Sequence, residues 1–197
     1  MNFFKIKVDK ITKETEDAIS ISFRLDNDHA LRQYYPGQYL TVKYHLKEEQ
    51  FLRCYSLSSL PSDEYLTFTV KKTLKGFISR ELVEKTKVGS ELEIGEPHGK
   101  FKISPYQNNR RSHYFIAAGS GITPIMSMIQ FLLEEEPSSS IYLLYSNSDE
   151  KDIIFYQKIQ ELESKYSGQL KTFFTLSKKE KKLNLKLFSK DKMKWSG

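Results

Sequence analysis

The fold is constrained most by a change of pattern near residue 113. Before this point, short runs of strand-forming residues follow one another with turn residues between them, which is typical of an antiparallel barrel. From His113 onward, strand-like and helix-like runs alternate, which predicts a parallel sheet with helices packed on it. The sequence therefore predicts a β + α/β chain: a six-stranded antiparallel barrel over residues 1–105, then a three-layer α/β domain over residues 110–197.

The individual elements are predicted from the spacing of apolar residues. The strands predicted for the barrel are Phe4–Ile11, Ala18–Leu25, Gln38–Lys43, Leu52–Leu57, Tyr65–Lys71 and Glu91–Ile94. A helix is predicted to begin near Phe77. The polar segment Ser104–Ser112 is the predicted domain boundary. The elements predicted beyond it are strands Tyr114–Ala118, Ser140–Tyr145 and Leu170–Leu176, and helices Ile122–Glu135 and Asp149–Lys165.

The net charge of +6 is concentrated at one end of the sequence. Residues 177–197 carry eight lysines against Glu180 and Asp191, so the rest of the chain is neutral. A nucleic-acid interface would need a basic face with stacking aromatic residues, and the neutral body offers none. The sequence therefore predicts no nucleic-acid partner for the folded part.

The sequence also disfavours several classes of protein: membrane-spanning, secreted, disulfide-bonded and metal-binding. No apolar run approaches the roughly 20 residues of a membrane span, and the first eight residues alternate like a strand rather than a signal peptide. We therefore expect a cytoplasmic protein without a membrane partner. Cys54 is the only cysteine, which excludes an internal disulfide and a four-thiolate iron–sulfur cluster. The histidines lack metal-ligand spacing, so no metal site is predicted and they are interpreted as surface or loop residues: His29, His45, His98 and His113.

The stretch Phe51–Ser59 carries the first candidate binding residues. Side chains alternate along a strand, so Arg53 and Tyr55 would share one face. A guanidinium fork suits a phosphate, and an aromatic ring beside it suits a planar cofactor such as a flavin. Ser56 adds a hydroxyl group next to the ring. The alternative is an ordinary barrel strand whose arginine and tyrosine face solvent.

The segment Gly76–Ser79 is a second candidate, at the start of the predicted helix. A glycine lets the backbone approach a phosphate, and the free amides of a helix N-terminus point toward the anion. Ser79 could add a hydroxyl hydrogen bond, and Lys71 could neutralise a diphosphate. The alternatives are a helix start without a ligand and a solvated lysine.

The segment Gly119–Pro124 follows a strand and opens a helix, which is the context that a dinucleotide-binding turn requires. It is not the full glycine-rich fingerprint, because Pro124 stands where a third glycine would be. The alternative is a turn that needs its glycines only for conformation. Ser146–Ser148 offers neither an acidic residue for ribose hydroxyls nor an arginine for a 2′-phosphate. NADH and NADPH both stay open, with nearby Lys151 favouring NADPH slightly.

Four motifs in this order resemble the ferredoxin–NADP reductase superfamily. They are Arg53–Ser56, Val70-Lys71 with Gly76–Ser79, Pro97–Phe101, and Gly119–Pro124. The resemblance covers nearly the whole chain and implies a flavin-binding barrel followed by an NAD(P)-binding domain. It favours FAD over FMN. The chain looks most like the reductase components of bacterial aromatic or phenylacetate-type oxygenases, and somewhat like flavohaemoprotein reductase domains.

The same resemblance implies residue roles. Tyr55 would stack on the isoalloxazine ring and Ser56 would lie near its N5 atom, which makes these two the candidate catalytic residues. The residues implied at the flavin nucleotide are Arg53, Cys54, Tyr55, Ser56, Val70, Lys71, Gly76, Phe77 and Ser79. The residues implied at the nicotinamide nucleotide are Gly119, Gly121, Thr123 and Pro124. Hydride would pass from the nicotinamide to the flavin, and electrons would continue to a ferredoxin or an oxygenase component.

The chain departs from the family in one respect. The family's nucleotide domain usually has five parallel strands, and this sequence supplies three before its lysine-rich segment 177–197. We therefore expect a truncated nucleotide domain, either because the chain is a fragment or because a partner completes the sheet. Two other hypotheses stay open. One is a non-catalytic flavin-binding module, and the other is a barrel whose lysine-rich segment docks an acidic partner or nucleic acid.

Overall fold

Seven antiparallel strands and one helix make up the first part of the computed structural model, which describes residues 2–46, 48–104 and 109–178. The elements are β1 (Phe3–Lys7), β2 (Lys10–Lys13), β3 (Ala18–Arg24), β4 (Tyr39–Leu46), β5 (Glu49–Ser56), β6 (Tyr65–Lys71), α1 (Phe77–Lys85) and β7 (Glu91–His98). They form two sheets, with strand orders β1-β7-β4-β5 and β2-β3-β6.

The two sheets join at both sides, which gives the predicted barrel. On one side the Val8 amide donates to Ser90 O (2.8 Å), and the next amide, that of Asp9, donates to Ser22 O (3.0 Å). The chain therefore passes from one sheet to the other between these residues. The predicted strand Phe4–Ile11 is thus two strands, and the barrel has seven strands rather than six. On the other side, Leu57 pairs with Phe68.

A closed apolar core stabilises the barrel. Leu40 and Val42 of β4 are fully buried, and so are Phe23 and Phe68, whose rings lie 5.8 Å apart. Alternate residues of each strand supply this core because successive side chains point to opposite faces. Fully burying one side chain of this size contributes about 1.5–3 kcal/mol, so the core sets the barrel shape.

The second part is a parallel sheet with two helices. Its elements are β8 (Ser112–Ala118), α2 (Ile122–Glu135), β9 (Ser140–Asn147), α3 (Tyr156–Lys165) and β10 (Leu170–Leu176), in strand order β10-β9-β8. Both helices pack on the sheet face formed by Ile141, Leu143 and Tyr145. Two right-handed crossovers in the same direction place their helices on one face. The third predicted layer is not among the described residues.

The second helix differs from the prediction Asp149–Lys165. A 3₁₀ turn covers Glu150–Asp152, Phe155 adopts a left-handed φ of +62°, and α3 begins only at Tyr156. Ile153, Ile154 and Phe155 are all buried. Because the left-handed conformation of Phe155 is incompatible with a right-handed helix, α3 cannot extend back through it and begins at the next residue.

The predicted domain boundary Ser104–Ser112 includes residues 105–108, which lie outside the described residues, as does most of the lysine-rich segment 177–197. Just past the boundary, the interpretation of His113 as a surface residue is wrong. His113 Nε2 lies 2.8 Å from Oε2 of fully buried Glu136, whose Oε1 accepts from Arg111 Nη2 at 2.8 Å. Among the helices described, none has the length and apolar character needed to cross a membrane.

Candidate functional site

Strand β5 presents the first group of predicted residues. Arg53 lies opposite Val42 and Tyr55 opposite Leu40, so both side chains are on one face of the strand, as predicted, and this is the face of the core residues Leu40 and Val42. Arg53 is exposed, and its Nη1 donates to Leu52 O at 2.8 Å. The guanidinium group thus keeps most of its donors available for an anionic ligand.

Tyr55 is half-buried, with one ring face on the core. Its ring stacks on Phe68 with centroids 5.5 Å apart and planes 29° apart. Burial raises the pKa of Tyr55 to about 12, although the neighbouring Arg53 opposes this shift. The phenol is therefore neutral at physiological pH. One ring face is committed to Phe68, which leaves the other for a planar ligand.

Strand β5 is an edge strand, and this exposes the backbone beside Tyr55. In the described chain it pairs with β4 on one side and meets β6 only through the bridge between Leu57 and Phe68. Ser56, half-buried, lies opposite Tyr39 at the end of the strand. Cys54 lies on the opposite face from Tyr55, with its Sγ 3.7 Å from Thr41 Oγ1.

The start of α1 forms the second group. An added Cβ at Gly76 would lie 2.3 Å from Thr73 Oγ1 and 2.4 Å from Ser79 Oγ, so a larger residue there would displace both hydroxyl groups. Ser79 Oγ donates to Gly76 O at 2.9 Å. No side chain caps this helix, so its first amides remain available to an anion, as predicted from the sequence. Phe77, the first helical residue, is 52% exposed.

Two residues of this group are placed differently from one another. Val70 is fully buried in the barrel core, so its side chain cannot reach a ligand and any contact would come from its backbone. Lys71, the next residue, is half-buried at the end of β6. The prediction of a cofactor contact thus suits the side chain of Lys71 but not that of Val70.

The turn between β8 and α2 forms the third group. Gly119 has a left-handed φ of +50°, which only glycine adopts without strain, and begins a 3₁₀ turn that ends at Gly121. Gly121 has an ordinary φ of −62°. An added Cβ would meet no atom within 4 Å at either glycine, so the space above the turn is open. Neither conformation nor packing therefore requires a glycine at position 121.

Thr123 and Pro124 lie in the first turn of α2. Thr123 is 6% exposed, and its Oγ1 donates to Ser120 O at 3.0 Å. This hydroxyl group therefore stabilises the turn itself, and its predicted contact with a nicotinamide stays a prediction. Pro124 is tolerated here because the first amides of a helix have no intrahelical partner.

Sequence reasoning missed Tyr145, which forms a hydrogen bond to the turn between β8 and α2. Its side chain is fully buried in β9, and its hydroxyl donates to Gly119 O at 2.9 Å. Burial raises the pKa of Tyr145, so the hydroxyl keeps its proton. The available signal was a tyrosine within an apolar strand, because a buried tyrosine needs a partner for its hydroxyl group.

The segment after β9 corrects one statement from the sequence. The strand extends to Asn147, so an acidic residue, Asp149, does stand close to its end. Asp149 Oδ1 accepts from the Glu150 amide at 2.8 Å, and Lys178 Nζ lies 3.4 Å from Oδ2. These contacts, the amide first, lower the pKa of Asp149. Lys151 is exposed nearby.

The predicted site residues thus form three groups on separate elements: β5, the start of α1, and the β8–α2 turn. The groups present an aromatic ring, a guanidinium, two helix N-termini without side-chain caps, and open space above Gly119 and Gly121. This combination fits a ligand with a planar ring and a diphosphate. Within the described ranges, no three side chains of metal-ligating type are grouped as a metal site.

Comparison with known proteins agrees with this arrangement. The family described as oxidoreductase FAD-binding domain matches residues 5–103, and the family described as oxidoreductase NAD-binding domain matches residues 115–194. The chain is 34% identical over 171 residues to one component of the 1,2-phenylacetyl-CoA epoxidase of Escherichia coli, covering 85% of this chain and 48% of that protein. It is 34% identical over 172 residues to the ferredoxin reductase component of 3-ketosteroid-9-alpha-monooxygenase of Mycolicibacterium smegmatis, covering 84% and 48%.

The fold is similar to that of the ferredoxin-NADP+ reductase from Plasmodium falciparum with 2′P-AMP. The TM-score is 0.82 at 18% identity, covering 96% of this chain and 80% of that one. The chain spans about half the length of the curated relatives it matches. The resemblance found in the sequence is confirmed: the chain belongs to the ferredoxin–NADP reductase superfamily, with an FAD-binding domain followed by an NAD-binding domain.

Proposed function

We propose that this chain is a flavin-dependent NAD(P)H oxidoreductase that delivers electrons to a protein acceptor. The observation that carries the proposal is the edge strand β5, where exposed Arg53 and half-buried Tyr55 share one face. A bound flavin would accept hydride from a nicotinamide and release electrons singly. The two relatives, which are named as parts of an epoxidase and of a monooxygenase, support an acceptor of the oxygenase or ferredoxin class.

In this proposal each group of residues has one task. Tyr55 would lie against the isoalloxazine ring, with Ser56 beside it at the end of β5. Arg53 and the amides that begin at Phe77 would bind the flavin diphosphate, since charge-assisted hydrogen bonds are the strongest available to phosphate. Gly76 leaves the Ser79 hydroxyl in place beside those amides, because a side chain at position 76 would displace it.

The nucleotide side of the proposal depends on the β8–α2 turn. The open space above Gly119 and Gly121 would admit a pyrophosphate to the positive end of α2. Thr123 would hold the turn through Ser120 O, and Tyr145 would hold it through Gly119 O. The chain's own contribution to the reaction is then to bind and orient, while the redox chemistry belongs to the cofactor.

The flavin site is tested by titrating purified protein with FAD and following the quenching of flavin fluorescence. We expect Arg53→Gln to weaken FAD binding about tenfold to a hundredfold, since hydrogen bonds to charged groups contribute about 1.5–3 kcal/mol. The matched control is Arg24→Gln, because Arg24 is an exposed barrel arginine that pairs with Glu64. Equal FAD affinity in wild type and Arg53→Gln would contradict the proposed site.

Electron delivery is tested separately. With NADPH or NADH present, the protein should reduce a [2Fe–2S] ferredoxin at a rate that requires bound FAD. A non-catalytic flavin-binding module predicts FAD binding without this reaction. Flavin that stays oxidised with both nucleotides would therefore contradict the oxidoreductase proposal and favour the module.

A further inference from the structure

Helix α2 begins at the turn Gly119–Gly121 (the nucleotide turn), and the middle of the helix contacts the barrel. We propose that two side chains on this helix, Gln130 and Ser127, are positioning residues. They set the orientation of the nucleotide turn relative to β5, the strand that carries Arg53 and Tyr55. The inference rests on the proposed function. Residues three apart lie on the same face of a helix, so both side chains can face the barrel together.

Ser127 makes the first contact. It is fully buried, its Oγ donates to Pro124 O at 2.9 Å, and the Gly37 amide donates to the same Oγ at 3.0 Å. Gly37 has a φ of +100°, and an added Cβ there would lie 2.1 Å from Met128 Cε and 2.5 Å from Phe101 O. The barrel backbone is thus held directly against α2.

Gln130 makes the second contact, and it reaches the barrel backbone just beyond the end of β5. Its Nε2 donates to Ser58 O at 3.0 Å, and Ser58 follows Ser56 by only two residues. Ser58 is itself fixed, since it is 6% exposed and its Oγ lies 3.2 Å from Thr69 Oγ1. One hydrogen bond therefore connects the helix that begins at the nucleotide turn with the end of β5.

Beside these two contacts, a polar cleft of about 920 Å³ separates parts of the two domains. Hydroxyl groups of Ser20 and Thr67 line its barrel wall, while Gln130, Gln157 and Glu161 line its helical wall. The cleft interrupts the packing between barrel and helices. The barrel also contributes Ala18 to the apolar core around α2, and the hydrogen bonds of Ser127 and Gln130 beside the cleft add directional restraints to this packing.

The geometry gives the size of the expected effect. An α-helix rises about 1.5 Å per residue, so the nine steps from Gly121 to Gln130 span roughly 13 Å. A tilt of about 5° at Gln130 would move the turn by about 1 Å at that lever arm. Displacements of about 1 Å at a reacting centre can reduce rates by about 10²-fold.

The test compares Gln130→Met with the matched control Gln157→Met. Gln157 is chosen because it lines the same cleft from α3. We expect Gln130→Met to lower the rate constant for flavin reduction at saturating NAD(P)H about tenfold to a hundredfold. The long-wavelength charge-transfer absorbance of reduced flavin with NAD(P)+ should weaken in parallel. FAD affinity and the thermal unfolding midpoint should match those of Gln157→Met, which should behave as wild type.

The outcomes separate the two claims. One outcome is that NAD(P)H reduces the flavin of wild type and of Gln130→Met with the same rate constant and the same charge-transfer absorbance. That result would overturn the positioning role and leave the proposed function standing. A loss of FAD together with a lower unfolding midpoint would assign Gln130 a structural role and would also overturn the inference. If NAD(P)H does not reduce the flavin bound to the wild-type protein, that result would instead contradict the proposed function.

Discussion

The substitution Gly121→Ala separates binding from folding at the nucleotide turn. Gly121 has a φ of −62° that alanine adopts readily, and its added Cβ would meet no atom within 4 Å. A compatible glycine-to-alanine change stabilises a protein by about 0.4–1 kcal/mol by restricting the unfolded chain. For a chain of this size that corresponds to about 1–4 °C in the unfolding midpoint.

The same methyl group occupies the space through which a pyrophosphate would approach the start of α2. We therefore expect the Kd for NADP+ and for NAD+ to rise at least about tenfold, equivalent to about 1.4 kcal/mol. FAD affinity should not change. The assay is isothermal titration with NADP+ and NAD+, alongside thermal unfolding of the same FAD-loaded samples.

Gly168→Ala is the matched control. Gly168 also faces open space, but it has a left-handed φ of +89° and precedes β10, at the opposite edge of the parallel sheet. Forcing alanine into that conformation costs about 1–2 kcal/mol, so its unfolding midpoint should fall while nucleotide affinity stays constant. Unchanged nucleotide affinity in Gly121→Ala, or a marked drop in its unfolding midpoint, would refute the reasoning.

Two further predictions concern half-buried Glu14 and fully buried Tyr145. Burial raises the pKa of Glu14 above its ordinary value of 4.5, so the fold favours the protonated carboxyl and its stabilisation is lost as pH rises. Glu14→Gln should therefore have a higher unfolding midpoint than wild type at pH 8, with the difference vanishing below pH 4.5, and an equal difference at both pH values would contradict this. Tyr145→Phe removes the hydroxyl group that donates to Gly119 O and should destabilise by about 0.5–1.5 kcal/mol. It should also weaken NAD(P)H binding without affecting FAD, and an unchanged nucleotide Kd in titration would show that Tyr145 does not support the turn.

Regular elements were predictable where one pattern continued over several turns or alternations. The helix Ile122–Glu135 and the strand Leu170–Leu176 have the predicted bounds because each keeps one apolar face throughout. The division of Phe4–Ile11 was not predictable. It depends on Val8 and Asp9 finding partners in different sheets, and the local sequence does not encode those partners.

The site followed a similar rule. The common face of Arg53 and Tyr55 was predictable because strand alternation alone places them there. The burial of Val70 shows what a sequence motif cannot predict. The motif identifies a position near the ligand, but it does not indicate whether the side chain or the backbone of that residue contacts the ligand. Ser127 and Gln130 were beyond sequence reasoning, since each finds its barrel partner more than 70 residues away in the chain.

The central claim is that this chain binds a flavin that accepts electrons from a nicotinamide nucleotide. The most direct measurement is the visible absorbance spectrum of FAD-loaded protein under anaerobic conditions, before and after addition of NADPH and then NADH. The account predicts flavin bands that bleach with at least one nucleotide, and the nucleotide that bleaches them faster identifies the preferred donor. Bands that persist with both nucleotides and bleach only with dithionite, or a protein that takes up no flavin, would contradict it.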